Sequence, residues 1–312
     1  MLDNFSSGPA IKGLYIDGQW HATPGQFDDL NPSDGKVWAH IPDAGAAETR
    51  RAIEAAHRAF PLWSSLRFQE RSKLMLKIAD TWDKRSQDFV IAAQFEGGGS
   101  YGKGMFEAGH VSETFRAAAG LCYGAIGEIL PSQNGKFSTA VRVPTGVVGV
   151  ISPWNVPGIL TSRGFAFAMA IGNTIVLKPS EETPYAGGLF FAEILEEAGV
   201  PNGVFNVITA SRDRTPEVGD ELIDNPLVKG ISFTGSTPVG RRIAAKCGAH
   251  LKKCCIELGG KDSLIVLDDA DMERATSAAS FGAFFHQGQI CMSVEKVLAV
   301  SYTHLTLPTN RE

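Results

Sequence analysis

The sequence predicts an α/β protein built on a doubly wound parallel sheet, and three observations support this fold class. Short apolar runs alternate with helical segments from Gly146 onward. The runs lack the strict alternation of half-exposed strands, as expected when helices cover both faces of a parallel sheet. Polar and glycine-containing segments follow several of the runs, at the strand ends where open parallel sheets bind ligands.

Composition narrows the functional classes. The 312 residues suffice for two domains, and the net charge of -5 argues against nucleic acid or an anionic membrane as partner. The N-terminus lacks the cationic start and apolar run of a signal peptide. The most apolar window, residues 165–177, is interrupted by glycine and too short for a bilayer span. We therefore expect a cytoplasmic protein with no nucleic-acid and no membrane partner.

Five cysteines form neither a disulfide framework nor a zinc pattern, because their number is odd and no Cys-x-x-Cys has partner histidines. We expect no metal. Cys254 and Cys255 are adjacent in an apolar run, which predicts that they point to opposite faces of a strand. Buried free thiols are expected everywhere except at Cys291.

The first half of the chain predicts a strand and turn at residues 14–20, followed by three helices. These helices are expected at residues 46–60, ended by Pro61, at 68–95, ended by consecutive glycines, and at about 106–123. Residues 136–143 alternate polar and apolar after an Asn-Gly turn, which predicts a β-hairpin. An oligomerisation arm and an ordinary edge hairpin both fit this pattern.

The second half supplies the predicted sheet. Strands are expected at residues 147–151, 174–177, 204–208, 228–233 and 253–257, with helices at 162–170, 186–198, 217–224 and 239–249. A further strand at 263–267 and a helix at 270–285 follow, and we place a domain boundary near Leu258.

Cys291 ends the run Phe284-Phe285-His286-Gln287-Gly288-Gln289-Ile290-Cys291, where glycine and glutamine suit a turn that presents the thiol. A lone cysteine is more often a small buried apolar residue. As a nucleophile it needs activation, since a thiol of pKa near ~8.5 is only a few per cent thiolate at neutral pH. Phe284, Phe285 and Trp154 suit an aromatic pocket, although core positions are the commoner place for such rings.

Two polar residues follow predicted strands and are candidates for chemistry. Glu257 ends a strand before Leu258 and Gly259, so it is either a general base or a solvated charge at a strand end. Asn155 follows Pro153 and Trp154, and its amide suits an oxyanion donor or a turn asparagine.

Two further segments suit a nucleotide. Lys178 and Glu181 follow the second strand and fit the hydroxyls of a ribose, with a solvated surface pair as the alternative. Residues 233–240, with Ser236, open a helix whose N-terminus suits a pyrophosphate. Their spacing is Gly-x-x-x-x-Gly, so the usual dinucleotide fingerprint is absent.

Taken together, the motifs resemble the aldehyde dehydrogenase superfamily in order and approximate spacing. The resemblance covers about residues 12–300 and is closest to benzaldehyde, salicylaldehyde and vanillin dehydrogenases. The matching motifs are Pro153-Trp154-Asn155, Lys178-Pro179-Ser180-Glu181, Phe233-Thr234-Gly235-Ser236, Glu257-Leu258-Gly259-Gly260-Lys261 and Gly288-Gln289-Ile290-Cys291.

The resemblance implies roles for these residues. Cys291 is expected as the nucleophile, Glu257 as the general base and Asn155 as the oxyanion donor in oxidation of an aromatic aldehyde to its acid. The expected cofactor is NAD, with NADP as the less favoured choice, and the partner is a second copy of the chain in a homodimer or homotetramer. The cofactor-binding residues implied are Ile151, Ser152, Pro153, Trp154, Lys178, Ser180, Glu181, Phe233, Thr234, Gly235, Ser236, Leu258 and Gly259.

The same resemblance implies a Rossmann-like NAD-binding domain at residues 12–123 and 145–257, an oligomerisation hairpin at 124–144 and a truncated catalytic domain at 258–300. Residues 301–312 depart from the family pattern and are expected to be a foreign tail, with the 312-residue chain inactive or poorly soluble. Other functions remain open. They are a dehydrogenase for aliphatic aldehydes or semialdehydes, a coenzyme-A-acylating relative, an esterase acting through Cys291 and a non-catalytic nucleotide-binding fragment.

Overall fold

The computed structural model describes residues 8–300. They divide into two compact units, the first ending at Glu257 and the second beginning at Leu258. The expected foreign tail lies outside the described residues. Within the described part of the chain, no helix combines the length and apolar character needed to cross a bilayer.

The strands and helices follow in chain order. The strands are β1 (Leu14–Ile16), β2 (Gln19–His21), β3 (Gln26–Leu30), β4 (Val37–Pro42), β5 (Gly127–Leu130), β6 (Ser138–Val141), β7 (Val147–Ile151), β8 (Thr174–Lys178), β9 (Phe205–Val207), β10 (Val228–Gly235), β11 (Lys253–Leu258), β12 (Asp262–Val266) and β13 (Val294–Ala299). The α-helices are α1 (Ala46–Ser65), α2 (Phe68–Gly97), α3 (Tyr101–Leu121), α4 (Pro157–Ala170), α5 (Phe190–Ala198), α6 (Thr215–Asp224), α7 (Thr237–Ala249) and α8 (Met272–Phe284).

The first unit is organised around a seven-stranded sheet of order β11-β10-β7-β8-β9-β1-β2. Strands β10, β7, β8 and β9 pair in parallel. Strand β7 comes first among them, β8 and β9 follow on one side, and β10 lies on the other. The strand order therefore reverses between β7 and β10, and the predicted doubly wound parallel sheet is confirmed. Strand β1 adds an antiparallel edge beside β9, a long-range pairing that local sequence does not reveal.

Aromatic side chains fill the core between α2, α4, α5 and the sheet. The Trp82 ring lies 4.9 Å from Phe89 and 5.0 Å from Phe191, and Phe165 lies 4.7 Å from Phe205. All five are fully buried. Each contributes roughly 1.5–3 kcal/mol by leaving water, so this cluster fixes how the helices sit on the sheet.

Helix α1 departs from the prediction that Pro61 ends it, because it continues to Ser65 with the proline inside. Trp63 is buried, and its indole N–H donates to the carbonyl of Met169 at 3.0 Å, so tertiary packing outweighs the proline. Helix α2 ends as predicted at the glycines, where Gly98 adopts a left-handed conformation and donates to Gln94. Helix α3 begins five residues before the predicted start, at a Ser100 cap.

The predicted hairpin is present as β5 and β6, paired antiparallel from Gly127 with Val141 to Leu130 with Ser138. Its apolar side chains are largely exposed, with Ile129, Phe137 and Val143 each more than 70% accessible.

The second unit contains a β-α-β arrangement in which β12 and β13 pair in parallel and α8 connects them. A Cβ on Gly282 of α8 would lie 2.5 Å from Val294 Cγ2, so glycine allows the helix to approach β13 closely.

Two buried carboxyl groups lie side by side, Asp29 of β3 and Glu96 of α2. They connect β3 to the start of the helical segment that follows β8. Glu96 accepts the backbone N–H groups of Tyr185 and Ala186 at 2.6 and 2.7 Å, in the π-helical turn before α5. Asp29 is hydrogen-bonded to Glu96, and both are at most 3% exposed. Burial raises the pKa of Asp29 to about 7, with a smaller contribution from the Glu182 charge. Two adjacent buried carboxyls cannot both ionise easily, so the pair retains a proton near neutral pH.

We predict that this pair makes stability fall as pH rises. The folded state binds the Asp29 proton more tightly than the unfolded chain, so the stabilisation is complete below about pH 4 and is lost by about pH 7. Asp29→Asn should weaken that dependence, because the amide donates to Glu96 at every pH and only the burial of Glu96 is left to raise a carboxyl pKa. Thermal unfolding between about pH 5 and 8 checks this, because each unit of pKa shift changes the free energy of unfolding by roughly 1.4 kcal/mol.

The exposed Asp34 supplies the control, since its pKa is lowered, mainly by hydrogen bonds from the Lys36 backbone and side chain. Asp34→Asn should leave the wild-type profile above pH 5 unchanged. Parallel profiles for wild type and Asp29→Asn would contradict the shared proton.

Candidate active site

Three strands of the sheet end side by side at the point where the strand order reverses. Ile151 of β7 pairs with Lys178 of β8 on one side and with Phe233 of β10 on the other. The segments that follow leave the same edge of the sheet, and this edge, defined by residues 151–155, 178–181 and 233–236, is called the strand-end site below. It brings together eleven of the predicted cofactor residues, together with Asn155. Ligands bind at such crevices in open α/β sheets.

The segment after β7 contributes a buried hydroxyl and a positioned carboxamide. Ser152 is 5% exposed and donates its backbone N–H to the carbonyl of Lys178 at 3.2 Å. Its Oγ is buried and has no hydrogen-bond partner among residues 8–300. The Asn155 Oδ1 accepts the backbone N–H of Val156 at 3.0 Å. This hydrogen bond fixes the orientation of the Asn155 side-chain amide. Trp154 is 37% exposed.

The segment after β8 places a buried cation beside a carboxylate. Lys178 is 2% exposed, and its Nζ lies 3.3 Å from Glu181 Oε2, while Arg212 Nε lies 3.3 Å from Oε1. Burial lowers the pKa of Lys178. Burial alone would raise the pKa of Glu181, but Lys178, a local backbone hydrogen bond and Arg212 together lower it. Glu181 is therefore an anion at neutral pH, able to accept two hydroxyl hydrogens.

The segment after β10 ends in a helix N-terminus. Phe233 is buried, and Ser236 caps α7, accepting the N–H of Gly240 at its backbone carbonyl. The Ser236 hydroxyl makes no capping hydrogen bond. A Cβ on Gly235 would lie 2.6 Å from the Phe233 ring, so the chain here has room only for glycine. The exposed N–H groups of α7 attract anions, and Ser236 adds a hydroxyl donor.

Behind Asn155, a buried ion pair holds the start of α4. Glu107 Oε2 accepts the N–H of Gly158 at 2.9 Å, and its carboxylate also accepts from Ile159. Lys103 Nζ lies 2.6 Å from Glu107 Oε1, and both side chains are at most 2% exposed. Burial raises the pKa of Glu107, and the Lys103 charge opposes this shift without cancelling it. The carboxylate thus fixes the first turn of α4, three residues after Asn155.

Strand β11 ends the first unit with Glu257, which is exposed, while Leu258 is half-buried and Gly259 exposed. Most of β11 is exposed, which departs from the prediction that both faces of every strand are covered. Cys254 and Cys255 are exposed as well, so the expectation of buried thiols is wrong there and correct for Cys122 and Cys247. The exposed cysteines lie on β11, which is an edge strand of the sheet. Local hydrophobicity does not distinguish an edge strand from a central one.

In the second unit, Cys291 is half-exposed and lies in the turn that precedes β13. A 3₁₀ turn, Phe285–Gly288, precedes it with three consecutive left-handed residues, His286, Gln287 and Gly288. For the two non-glycine residues this conformation costs on the order of 1 kcal/mol each, and such strain concentrates at functional sites. Gln289 donates to the carbonyl of His286 at 3.0 Å, and Ser293 donates to Ile290 at 3.0 Å, which ties the turn on both sides of the thiol.

Phe284 and Phe285, at the end of α8, do not lie in the core. Phe284 is 77% exposed, and Phe285 stacks on Phe281 at 4.9 Å. The commoner expectation, that rings beside a helix end are buried, is therefore wrong for Phe284. Among the described residues, no group of three or more His, Cys, Asp or Glu side chains is placed to hold a metal.

Comparison with known proteins identifies the family. Residues 20–305 match the model of the aldehyde dehydrogenase family. The chain belongs to this family. It is 40% identical over 292 residues to benzaldehyde dehydrogenase [NAD(+)] of Pseudomonas putida, and 40% identical over 287 residues to vanillin dehydrogenase of an Amycolatopsis strain. These alignments cover 93% and 92% of this chain and 59% and 58% of the relatives.

Comparison with a solved structure supports the same family. A salicylaldehyde dehydrogenase from Pseudomonas putida G7, crystallised with salicylaldehyde, superposes with a TM-score of 0.90 at 37% identity, covering 93% of this chain and 60% of that one. The chain therefore spans about three fifths of the length of the aldehyde dehydrogenases it matches.

Sequence reasoning missed Lys103, Glu107, Glu96 and Asp29, whose side chains hydrogen-bond or pair behind the segments of the strand-end site. Lys103 and Glu107 are spaced by four on a helix, a pattern that normally indicates an exposed ion pair. The sequence did contain one indication that this pair is buried, because small and apolar residues surround it along α3.

We predict that Glu107→Ala lowers the free energy of unfolding by about 3–5 kcal/mol, since it leaves the Lys103 ammonium buried without its partner and removes the acceptor of two N–H groups. Guanidinium unfolding of the 312-residue chain measures the loss. The control is Glu128→Ala, which removes an exposed ion pair to Arg142 and should leave stability nearly unchanged. Equal losses in the two variants would contradict the structural role of Glu107.

Proposed function

We propose that the protein binds NAD at the strand-end site and oxidises an aromatic aldehyde to the carboxylic acid through Cys291. The observation that carries the proposal is the register of Phe233, Ile151 and Lys178, which gathers three polar segments at the reversal of the strand order. Membership of the aldehyde dehydrogenase family and the names of its relatives support the same reaction.

The groups at the strand-end site fit a dinucleotide. Glu181 and Lys178 would hold the two hydroxyls of the adenosine ribose, with Ser180 beside them. The carboxylate favours NAD, because it would repel the 2′-phosphate of NADP. The N-terminus of α7 and Ser236 would hold the pyrophosphate, with Thr234 and Gly235 leading to them. The buried Ser152 Oγ, which has no partner among the described residues, would be a further donor to the dinucleotide.

The remaining predicted cofactor residues would form the walls of the site. Ile151, Pro153, Trp154 and Phe233 supply apolar surface, while Leu258 and Gly259 follow the candidate base. When bound, NAD supplies the acceptor for the hydride that leaves the substrate carbon. The chain itself must attack that carbon, stabilise the charge that develops on oxygen and activate water.

We assign these tasks to three residues. The Cys291 thiolate attacks the aldehyde carbon, and the charge on the resulting thiohemiacetal oxygen is stabilised by the Asn155 amide and the Cys291 backbone N–H. After oxidation, the acyl group is a thioester of Cys291. Glu257 then removes a proton from a water molecule, which attacks the thioester and releases the acid and the thiolate.

The two units would divide this work. Residues 12–123 and 145–257 bind NAD, and residues 258–300 carry the nucleophile. The hairpin of residues 124–144 is proposed as the arm through which copies of the chain assemble into a homodimer or homotetramer. Its exposed Ile129, Phe137 and Val143 support this role, because an apolar surface of this kind favours burial against a partner.

The substrate class rests on the relatives, which are named for benzaldehyde, salicylaldehyde and vanillin. An aromatic aldehyde is therefore proposed ahead of aliphatic aldehydes and semialdehydes. The coenzyme-A-acylating alternative is disfavoured because Glu257 is present as a candidate base. An esterase would need no NAD, so titration of NAD separates it from the dehydrogenase.

We predict that, in the active enzyme, Cys291→Ala abolishes NADH formation from benzaldehyde and salicylaldehyde while the Kd for NAD stays within about twofold, because the nucleophile is lost and the strand-end site is not. Spectrophotometric turnover and calorimetric NAD titration make the two measurements. The control is Cys255→Ser, an exposed thiol with no assigned role, which should keep wild-type activity.

Retention of dehydrogenase activity by Cys291→Ala would overturn the assignment of the nucleophile. NAD binding by the wild-type chain without NADH formation from any aldehyde would favour the non-catalytic nucleotide-binding function instead.

A further inference from the structure

Two cysteines outside the proposed site lie against each other where α7 meets β11. Cys247 is in the last turn of α7, and Cys254 is the second residue of β11. Between them the chain reverses at Leu251, which adopts a left-handed conformation, and the N–H of Lys252 donates to the carbonyl of Cys247 at 2.9 Å. This turn brings the start of β11 back beside the end of α7, and Cys254 is close enough to Cys247 to raise its pKa.

The turn between the cysteines is fixed by hydrogen bonds to the end of α6. The Lys252 ammonium donates to the carbonyls of Ile223 and Asn225, at the end of α6. His250 donates its backbone N–H to Lys246 and Cys247. Because the backbone on both sides is anchored, the two thiols stay together in the folded state instead of meeting by chance.

The two thiols differ in access. Cys254 is exposed, whereas Cys247 is completely buried. Burial and the neighbouring Cys254 raise the pKa of Cys247, and the nearby Lys252 charge acts in the opposite direction. A dissolved oxidant therefore reaches Cys254 first. Cys247 is shielded from solvent and can react only with the oxidised Cys254.

We propose that Cys247 and Cys254 form an oxidisable dithiol that closes to an intramolecular disulfide in response to a hydroperoxide. The Cys254 thiolate attacks one oxygen of the peroxide, giving a sulfenic acid and releasing hydroxide or alkoxide. The Cys247 thiol then attacks the Cys254 sulfur, forming the S–S bond and releasing water. Overall, two thiols lose two electrons and two protons, and hydrogen peroxide becomes two molecules of water.

Cys255 is the competing partner and is disfavoured by geometry. It is adjacent to Cys254 in an extended strand, where successive side chains point to opposite faces, so a bond between them would require β11 to unfold locally. A disulfide with Cys247 would instead join the end of α7 to the start of β11 across the turn that already connects them.

The test treats the folded 312-residue chain with a small excess of hydrogen peroxide, blocks remaining thiols with N-ethylmaleimide and maps tryptic peptides without reduction. Cleavage after Lys246, Lys252, Lys253 and Lys261 places Cys247 in one peptide and both Cys254 and Cys255 in another. We expect these two peptides to be joined, with a mass about 2 Da below their sum.

Single substitutions at exposed positions identify the bond without disturbing the core. The cross-linked peptide should persist in Cys255→Ser and disappear in Cys254→Ser. A cross-link that survives in Cys254→Ser, a disulfide between two molecules, or Cys254 recovered as sulfinic acid with Cys247 alkylated would each overturn the proposal. None of these outcomes depends on NAD binding or aldehyde oxidation, so the experiment tests the dithiol independently of the proposed function.

Discussion

The parallel pairing of β10, β7 and β8 is the constraint on which the candidate site depends. Their hydrogen-bonded register aligns Phe233, Ile151 and Lys178, so the three following segments must leave the sheet at one edge. Strands β8 and β10 lie on opposite sides of β7, and this reversal of strand order is the arrangement at which open α/β sheets form a ligand-binding crevice. A one-residue slip of any of these strands would turn its side chains to the other face and separate the site residues.

Buried carboxyl groups hydrogen-bond to the backbone that follows two of these segments. Glu107 binds the first turn of α4, which follows the Asn155 segment, and Glu96 binds the turn that follows the Glu181 segment. Both use the same physical device, an acid group at the positive end of a helix, in surroundings that exclude water. Their charges are balanced differently, by the Lys103 ammonium in one case and by a proton shared with Asp29 in the other. The segments of the strand-end site are thereby held in place by side chains that are themselves buried.

Hydrophobic periodicity and turn chemistry predicted most of the sheet, because strand and helix formation within residues 146–258 is governed by local patterns. Predictions failed where distant contacts decide. The buried indole of Trp63 carries α1 past Pro61, β1 joins the sheet beside β9, and β11 is exposed along most of its length. The supporting carboxylates were missed for a related reason. A charged residue spaced by four from its partner looks the same in sequence whether the pair is buried or solvated, and only packing distinguishes the two.

The most direct test of the account is hydrogen–deuterium exchange of the 312-residue chain with and without NAD. If the aligned strand ends bind the cofactor, exchange should slow at residues 152–156, 179–183 and 234–240 together, while the hairpin of β5 and β6 is unaffected. The backbone N–H groups at the start of α7 should show the largest change, because they lack partners within the helix. NAD binding that protects none of these three segments, or only one of them, would contradict the claim that the register of β10, β7 and β8 builds the site.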